Sequence, residues 1–516
     1  MNLIIKTTHI LKRNILFVIL LLTSIICGAE TNFPHREVRA VWLTTINGLD
    51  WPYVKATSAA SIARQKKELT EILDKLQKAN INTVLFQTRI RATSVFPSNA
   101  ETGNEPWDRC LTGTDGRNPG YDPLHYAIEE CHRRGMELHA WIVTIPIGKW
   151  NDAGSRHLRM YNPEIVMRIG DEAHMNPAKP QTAEYLSRYC RSITERYDVD
   201  GIHLDYIRYP ETIKRKPDAS KARENITVIM NQIYHAVKKV KPWVKVSCSP
   251  IGKHDDTRLY SSRGWNARSR VYQDVKEWMR RGIVDLIFPM MYFRGNDFYP
   301  FLADWHEAKQ QCAIVPGLGI YLMHQKERNW DIKDITRQIH VSRHMHMGYC
   351  LFRSRFFTEN TKGIYTYICQ NASPYPALPL PLSNSSTPPD SPEILNINVL
   401  EGRYILRWNA PACPQGNDYL TYNIYASDSY PVDTKNPQNL VIMRHKGTAL
   451  TLPEHRHSYY AVTAMDRYGN ESIPRQLSLP LRHQEHRPAW YWVTRPIKTN
   501  ITNHCCPLKI AKRSLK

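Results

Sequence analysis

The chain has 516 residues, which is enough for two or three domains with their own cores, and its composition is that of a soluble globular protein. Its formal net charge of +21 favours an anionic partner such as a cell-wall polymer, an acidic polysaccharide or a membrane surface. The 11 cysteines form no CxxC pair and have no ligand-like spacing with histidine. The sequence therefore argues against a structural zinc site and predicts no metal and no cofactor.

Residues 1–29 have the pattern of a secretory signal peptide. Three basic residues precede the apolar run ILFVILLLTSIICGA, which is too short and too one-sided in its flanks for an ordinary membrane span. We expect cleavage after Ala29 and a location in the periplasm or at the cell surface. The alternative is a lipid attached at Cys27, which would associate the protein with the outer membrane as a lipoprotein. Export makes nucleic acid the least suitable of the anionic partners.

From residue 36 to about residue 357 the sequence alternates strand-like and helix-like patterns. The strand-like stretches are 37–45, 81–89, 136–145, 199–207, 244–250, 283–292, 313–321 and 348–356. Between them, segments such as DPLHYAIEECHRRG place apolar residues at helical spacing, and its final Gly135 suits a helix C-terminus. Eight strands alternating with helices predict an α/β fold, a (β/α)8 TIM barrel over residues 30–370. A doubly wound open sheet is the alternative.

The composition changes after the predicted barrel. Residues 371–392 are rich in proline and serine and are predicted to form a linker. Short alternating strands with turn signals follow at 393–482, which predicts a small all-β sandwich. This stretch resembles a fibronectin type III module, through Trp408 in an early strand and YAVTAMDRYGNE at 460–471 in a late one. Residues 483–516 are basic and patternless, and we expect a flexible tail.

The stretch DGIHLDYIRYP at 200–210 combines an apolar strand with polar residues at its end. Alternate residues of a strand share a face, so His203 and Asp205 point one way and the apolar residues between them point the other. Active sites of such barrels lie at the C-terminal ends of the strands. Asp205 is therefore predicted at the mouth of the barrel as the first catalytic carboxylate. The alternative is a structural aspartate that pairs with Arg208.

Other strands and loops bring polar and aromatic side chains to the same rim. Rings suit the apolar faces of sugars, fixed donors suit hydroxyl groups, and a carboxylate suits a glycosidic bond, so the predicted site is a sugar cleft. The predicted substrate-binding residues are Trp42, Gln87, Arg89, Trp141, His203, Arg208, Tyr209 and Tyr292. Of these, Arg89 and Arg208 are expected to pair with a carboxylate of the substrate.

Glycoside cleavage usually uses two carboxyl groups, and the sequence identifies only the first. Several loops after the strands carry acidic residues, and among them Asp50 and Asp297 are the preferred candidates for the second carboxylate. His139 is predicted to take part in proton transfer, because imidazole titrates near neutrality.

Six segments of the chain resemble the glycosyl-hydrolase-like family 10 proteins. They are REVRAVWLTTINGLDWP (36–52), NINTVLFQTRIRATSVFPS (80–98), PWDRCLTGTDGRNPGYDPLHYAIEECHRRGMELHAW (106–141), NP (176–177), RYDVDGIHLDYIRYP (196–210) and VDLIFPMMY (284–292). Together they cover most of residues 36–325 in the family's order. The resemblance implies an exported barrel protein linked to the cleavage of bacterial glycans and peptidoglycan.

The strand at 199–207 departs from related patterns. Many family members have two adjacent acids where this chain has Asp205 and Tyr206, so only Asp205 is carried over. The strand resembles D-G-x-R-x-D of alpha-amylase-type barrels, in which the last aspartate is the nucleophile. It also resembles D-G-x-D-x-D-x-E of family 18 chitinases, but the catalytic glutamate of that pattern would fall on Ile207, which excludes that mechanism here.

The sequence therefore predicts an exported glycoside hydrolase that acts on peptidoglycan glycan strands or another complex, acidic polysaccharide. Two other classes stay open. One is a barrel that only binds glycan, since the second acid is not identified. The other is a metal-dependent polysaccharide deacetylase or hydrolase built on His139, His203 and Asp205.

Overall fold

The computed structural model describes residues 33–382, 387–400, 403–452 and 457–477. The predicted signal peptide at 1–29, with Cys27, and the predicted tail at 483–516 lie outside these ranges. Within them, no helix has both the length and the apolar character needed to cross a membrane.

Eight parallel strands form a barrel, so the predicted (β/α)8 fold is confirmed. The strands are β1 (Arg39–Leu43), β2 (Thr83–Ile90), β3 (Glu137–Val143), β4 (Gly201–Asp205), β5 (Lys245–Ser249), β6 (Leu286–Ile287), β7 in two pieces (Ala313–Ile314 and Gly317–Leu318) and β8 (Tyr349–Leu351). The first piece of β7 pairs with β6, and the second pairs with β8. Since β8 also pairs with β1, the sheet closes on itself.

Helices cover the outside of the barrel. The longer ones are α1 (Ala59–Lys78), α2 (Pro123–Arg133), α3 (Ala153–Tyr161), α4 (Pro180–Arg196), α5 (Ala219–Val240), α6 (Val275–Arg281), α7 (Tyr299–Ala308) and α8 (Ile332–His344). Ser58 caps α1 by accepting a hydrogen bond from Ser61 N, and Asp122 caps α2 in the same way. Gly135 follows α2 in the left-handed conformation, at φ +74°, which ends the helix as predicted.

The faces of β4 are those that the alternation of its residues predicts. Ile202 and Leu204 pack in the apolar layer between the sheet and the helices. His203 points into the barrel, where its ring contacts that of Phe288. Gly201 shares this inner face, and a Cβ atom there would lie 2.6 Å from the ring of His139, so the position has no room for a side chain.

A small antiparallel sheet follows β3. Its strands are Pro146–Lys149, Glu172–Met175 and Val166–Ile169, with Glu172–Met175 in the middle. We call it the small sheet. It is inserted between β3 and α4, and its first and middle strands contribute to the cavity described below.

An all-β unit follows the barrel, as predicted. Its strands are β9 (Glu393–Leu400), β10 (Arg403–Asn409), β11 (Thr421–Ser427), β12 (Leu440–His445), β13 (Ala449–Thr451), β14 (Tyr459–Met465) and β15 (Arg475–Gln476). They form a three-stranded sheet, β9-β10-β13, and a four-stranded sheet, β12-β11-β14-β15. Trp408, Ile424 and Val462 pack in the core between them. The identity of this unit as a fibronectin type III module stays a prediction.

The all-β unit docks on the barrel beside the start of β4. Arg444 of β12 forms a buried ion pair with Asp200, the residue before β4. Arg467 pairs with Asp198 at 2.8 Å, and the hydroxyl of Tyr419 donates a hydrogen bond to the same carboxylate at 2.7 Å. Asp205 ends β4, so this interface lies at the opposite end of the strand from the predicted catalytic carboxylate.

Candidate active site

A cavity of about 840 Å³ opens at the C-terminal ends of the barrel strands. Its wall combines residues from strand ends, from the loops after them and from the small sheet. The polar and aromatic side chains of this wall include Gln87, Trp141, Lys149, Asp152, Glu172, His174, Asp205, Tyr206, Arg208, Glu211, Tyr292, Phe352 and Arg353. A concave, partly apolar site with a few charged groups at this end of a barrel is the expected place for catalysis.

Asp205 lines this cavity and is 6% exposed. Its Oδ2 accepts a hydrogen bond from Trp141 Nε1 at 3.1 Å, and its Oδ1 accepts from Ser249 Oγ and from Tyr206 N, both at 2.8 Å. Burial raises the pKa of the carboxyl, while these three donors and the charge of Arg208 oppose the rise. The outcome is a fixed carboxyl with a raised pKa, which suits a group that exchanges a proton with substrate.

Arg208 lies on the loop after β4 and is 4% exposed. Its guanidinium lies over the ring of Tyr206, 4.1 Å from the ring centre, so the plane of the fork is fixed. Nη2 is 3.4 Å from Glu211 Oε1, whereas Nε and Nη1 have no hydrogen-bond partner among the described residues. Arg208 therefore lines the cavity as a buried cation, and its two unpartnered nitrogens are themselves closed to solvent.

Aromatic side chains form part of the wall. Trp141, Tyr206, Tyr292 and Phe352 all line the cavity. The rings of Tyr292 and Phe352 lie 5.4 Å apart, and each also contacts Tyr321. Such faces suit the apolar side of a sugar ring.

Gln87 also lines the cavity, where hydrogen bonds to the loop after β1 hold its side chain. Its Oε1 accepts hydrogen bonds from Thr45 N at 2.9 Å and from Ile46 N at 2.8 Å. The side chain of Gln87 thus holds the loop after β1 against the end of β2. Five predicted site residues therefore meet in one cavity: Gln87, Trp141, Asp205, Arg208 and Tyr292.

Three predicted site residues lie deeper in the barrel and do not line the cavity. Trp42 Nε1 donates a hydrogen bond to His203 Nε2 at 3.1 Å, and His203 Nδ1 is 3.0 Å from Ser247 Oγ. Burial holds the pKa of His203 well below its usual range. His139 Nε2 is 3.2 Å from Oε2 of Glu137, the first residue of β3 and hence at the N-terminal end of this barrel strand. These contacts stabilise the barrel interior, so we do not expect Trp42, His203 or His139 to touch substrate.

Arg89, predicted to bind a substrate carboxylate, is fully buried in a structural ion pair. Its Nη2 lies 2.6 Å from Glu105 Oε1, and its Nε donates to the same carboxylate at 2.9 Å. Its Nη1 donates to the carbonyls of Val143 and Thr144. All three nitrogens are therefore used inside the protein, which corrects the predicted role of Arg89.

Tyr209, Asp50 and Asp297 also lie outside the cavity lining. The hydroxyl of Tyr209 accepts a hydrogen bond from Asn225 Nδ2 at 2.8 Å. Asp50 is buried in an ion pair with Arg353, and burial raises the pKa of its carboxyl to about 6. Asp297 is paired with Lys253 at 2.6 Å. Neither acid is placed to act as the second carboxylate.

Three acidic residues that line the cavity were not predicted from the sequence: Asp152, Glu172 and Glu211. Glu211 immediately follows the DGIHLDYIRYP stretch, and its closeness in sequence to Asp205 was the available signal. Glu172 and His174 lie two residues apart on one strand of the small sheet, an element without a counterpart among the predicted barrel strands. Among the described residues, no group of three or more His, Cys, Asp or Glu side chains is arranged to hold a metal ion.

The closed barrel, the cavity at its C-terminal end and the buried carboxyl beside aromatic rings define a glycosidase-like site. The family model for "Glycosyl hydrolase-like 10" matches residues 37–221 and 211–323. The chain therefore belongs to this family, and the predicted enzyme class, a glycosidase, is confirmed.

Two similar proteins agree with the family. The chain is 27% identical over 481 residues to "Glycosyl hydrolase YngK" of Bacillus subtilis, covering 85% of this chain and 92% of that protein. It is 30% identical over 315 residues to "Glycosyl hydrolase DigH" of Escherichia coli, covering 54% of this chain and 71% of that protein. Among solved structures it is similar to an alpha-L-fucosidase isoenzyme 2 from Paenibacillus thiaminolyticus, with a TM-score of 0.43 and 14% identity over 64% of this chain and 49% of that chain.

Proposed function

We propose that this glycosidase is exported and hydrolyses O-glycosidic bonds in peptidoglycan glycan strands or in another complex polysaccharide that carries carboxylates. The observation that carries the proposal is the buried Arg208 guanidinium, two of whose nitrogens lack a partner among the described residues. A buried cation is unfavourable unless other groups supply charge and acceptors. A carboxylate of the substrate would supply both.

The geometry of Arg208 favours a carboxylate over a neutral sugar hydroxyl. The fork is planar, and its contact with the Tyr206 ring holds it in one orientation before substrate arrives. A carboxylate could accept two parallel hydrogen bonds from Nη2 together with Nε or Nη1, and it would then share Nη2 with Glu211, whose contact at 3.4 Å is long. The lactyl group of muramic acid and the acid group of a uronate are carboxylates attached to the sugar itself.

Asp205 is the proposed general acid. Burial raises the pKa of its carboxyl, so it holds its proton at higher pH than an exposed aspartate does. The hydrogen bonds from Trp141 and Ser249 fix both oxygens, so the proton is delivered from a fixed position. Asp205 would protonate the glycosidic oxygen as the bond from that oxygen to the anomeric carbon breaks. The rings of Tyr292 and Phe352 would stack on the sugars.

The experiment compares two forms of one substrate. Peptide-stripped peptidoglycan strands are used either intact or after chemical reduction of their lactyl carboxylates to alcohols. Wild type is expected to cleave the intact strands about tenfold faster or more, the effect of one charge-assisted contact. Arg208→Gln is expected to lose this preference. Lys149→Gln removes an exposed cation from the same cavity and should keep it.

Two results would contradict the proposal. Equal wild-type rates on intact and reduced strands would remove Arg208 as the carboxylate-binding residue. Binding of glycans by wild type without cleavage of any intact or acidic polysaccharide would favour a glycan-binding barrel instead of an enzyme.

Export is proposed from the sequence of residues 1–29, which combines basic residues with a short apolar run. Expression of the full chain followed by mass analysis of the mature N-terminus tests it. A mature chain that begins at Glu30 supports cleavage after Ala29. A diacylated N-terminal cysteine that disappears in Cys27→Ser supports the lipoprotein alternative. An uncleaved chain in the cytoplasm would contradict export.

A further inference from the structure

We infer that Glu211 is the second catalytic carboxylate and acts as the general base that activates water. The inference rests on the proposed function, because it assigns a role within the same reaction. It starts from a requirement of the chemistry, since hydrolysis of a glycosidic bond usually needs a second carboxyl group besides the acid. Among the described residues, the carboxylates that line the cavity are Asp152, Glu172, Asp205 and Glu211.

Two of these acids have positions that do not suit the role. Asp152 precedes α3, and its Oδ2 already accepts a hydrogen bond from Lys149 N at 2.8 Å. Glu172 lies on the small sheet with a side chain that is 53% exposed, so bulk water surrounds it. A general base must be held in place beside the reacting water, because its effect depends on geometry.

Glu211 has the position that such a base requires. Its side chain is 34% exposed, and its Oε1 lies 3.4 Å from Arg208 Nη2, which leaves acceptor capacity on the carboxylate. It lies on the loop that continues directly from Asp205. Burial, followed by the charges of Asp205 and Glu211, raises the pKa of the Tyr206 hydroxyl. The side chain of Tyr206 therefore lies within electrostatic range of both carboxyl groups.

His174 is a buried side chain in the same cavity wall. It is 5% exposed, lines the cavity, and its Nδ1 has no hydrogen-bond partner in the described structure. Burial lowers the pKa of its imidazole, and the nearby charges of Glu172 and Glu211 oppose this change. Glu211 and His174 thus both line the cavity, Glu211 on the loop after β4 and His174 on the small sheet.

The step that this arrangement supports is balanced. Glu211 takes a proton from a water molecule, and the water oxygen bonds to the anomeric carbon. The bond from that carbon to the glycosidic oxygen breaks, its electron pair stays on the oxygen, and Asp205 supplies the proton for the new hydroxyl group. Proton exchange with solvent then returns Asp205 to its acid form and Glu211 to its base form.

The experiment measures release of soluble fragments from peptide-stripped peptidoglycan strands by wild type, Glu211→Ala and Glu172→Gln. Loss of a general base is expected to lower the rate about 100-fold or more. Glu172→Gln removes an acid from the same cavity and should stay within about threefold of wild type, well below the effect of a general base. Sodium azide is then added, because azide attacks the anomeric carbon without a base. It should restore turnover of Glu211→Ala and yield glycosyl azide, identified by its mass.

The outcomes separate this inference from the proposed function. Wild-type turnover together with an active Glu211→Ala would overturn the role of Glu211 and leave the glycosidase proposal intact. An inactive Glu211→Ala that folds with the wild-type melting temperature but gives no azide product would overturn the base role. An inactive wild type would overturn the proposed function, and this inference with it.

Discussion

The indole nitrogen of Trp141 donates a hydrogen bond to Asp205 Oδ2 at 3.1 Å. The two residues sit near the ends of neighbouring parallel strands, β3 and β4, where Val143 lies opposite Asp205 in the register. One aromatic side chain therefore both lines the cavity and orients the carboxyl that the proposed mechanism requires.

The first prediction concerns this bond. A donor to a carboxylate favours its charged form, so Trp141→Phe should raise the pKa of Asp205 further. We expect the alkaline limb of the kcat/KM–pH profile to move to higher pH, and the pH-independent value of kcat/KM to fall because the carboxyl loses a donor that fixes its position. The pH–rate profile of strand cleavage measures both. Trp243→Phe is the control, since the buried Trp243 indole nitrogen has no hydrogen-bond partner in the described part of the chain and lies outside the cavity. An unchanged alkaline limb in Trp141→Phe would argue against Asp205 as the acid.

The second prediction concerns the Arg89–Glu105 ion pair. Both side chains are fully buried, so Arg89→Met would leave an uncompensated carboxylate in the core. We expect the free energy of unfolding to fall by about 3–5 kcal/mol. Adding Glu105→Gln removes that charge and should recover part of the loss. Denaturant unfolding of the three proteins provides the comparison. Arg89→Met with the same free energy of unfolding as wild type would contradict a structural role for Arg89.

The third prediction concerns the contact between the barrel and the all-β unit. Arg444→Ala would leave Asp200 buried without its ion-pair partner, with His132 Nε2 at 2.8 Å and the charge of Arg467 farther away. Removal of one partner of a buried pair destabilises by about 3–5 kcal/mol. We expect a lower melting temperature and an unchanged rate of glycan cleavage, because the interface is remote from Asp205. Arg407→Ala, at an exposed position of β10, is the control. A large loss of rate at a temperature where the variant is folded would mean that this interface takes part in catalysis.

The fourth prediction concerns pH and Asp50. Burial raises the pKa of Asp50 from 3.8 to about 6 in the folded protein. Between pH 4 and pH 6 the folded state then binds more protons than the unfolded state, so this residue makes stability fall as pH rises. Two pKa units correspond to about 3 kcal/mol.

We therefore compare the free energies of unfolding of wild type and Asp50→Asn. The value for wild type minus that for the variant should be highest near pH 4 and should decline by up to about 3 kcal/mol towards pH 7. Unfolding measured at both pH values gives the difference. A difference that grows with pH would mean that the Arg353 partner outweighs burial and that the pKa of Asp50 is lowered.

The sequence was sufficient to predict the barrel, because its eight strands are bounded by clear helical patterns. It also predicted that the side chains of Trp141 and Asp205 lie at the C-terminal end of the barrel, where they line the cavity. It did not predict depth along the strands. The side chains that point inward, as alternation requires, include Trp42, His139 and His203. They lie in layers of the barrel below the cavity. The two-residue period of a strand gives the face of a side chain but not its layer.

Arg89 failed as a prediction for a different reason. The pairing of β2 with β3 contains a register shift between Gln87 and Arg89, so the two residues do not stay on the same face as simple alternation requires. Gln87 reaches the cavity, and Arg89 turns to Glu105. Glu211 and Glu172 were missed because a loop and an inserted small sheet have no barrel periodicity that would mark their direction.

The central claim is that Asp205 is the acid of a glycosidase. The most direct measurement incubates the mature chain, residues 30–516, as wild type and as Asp205→Asn, with peptide-stripped peptidoglycan strands, and identifies soluble products by mass spectrometry. The account predicts glycan fragments from wild type and none above background from Asp205→Asn, with both proteins bound to the strands. Equal product from the two proteins would contradict it.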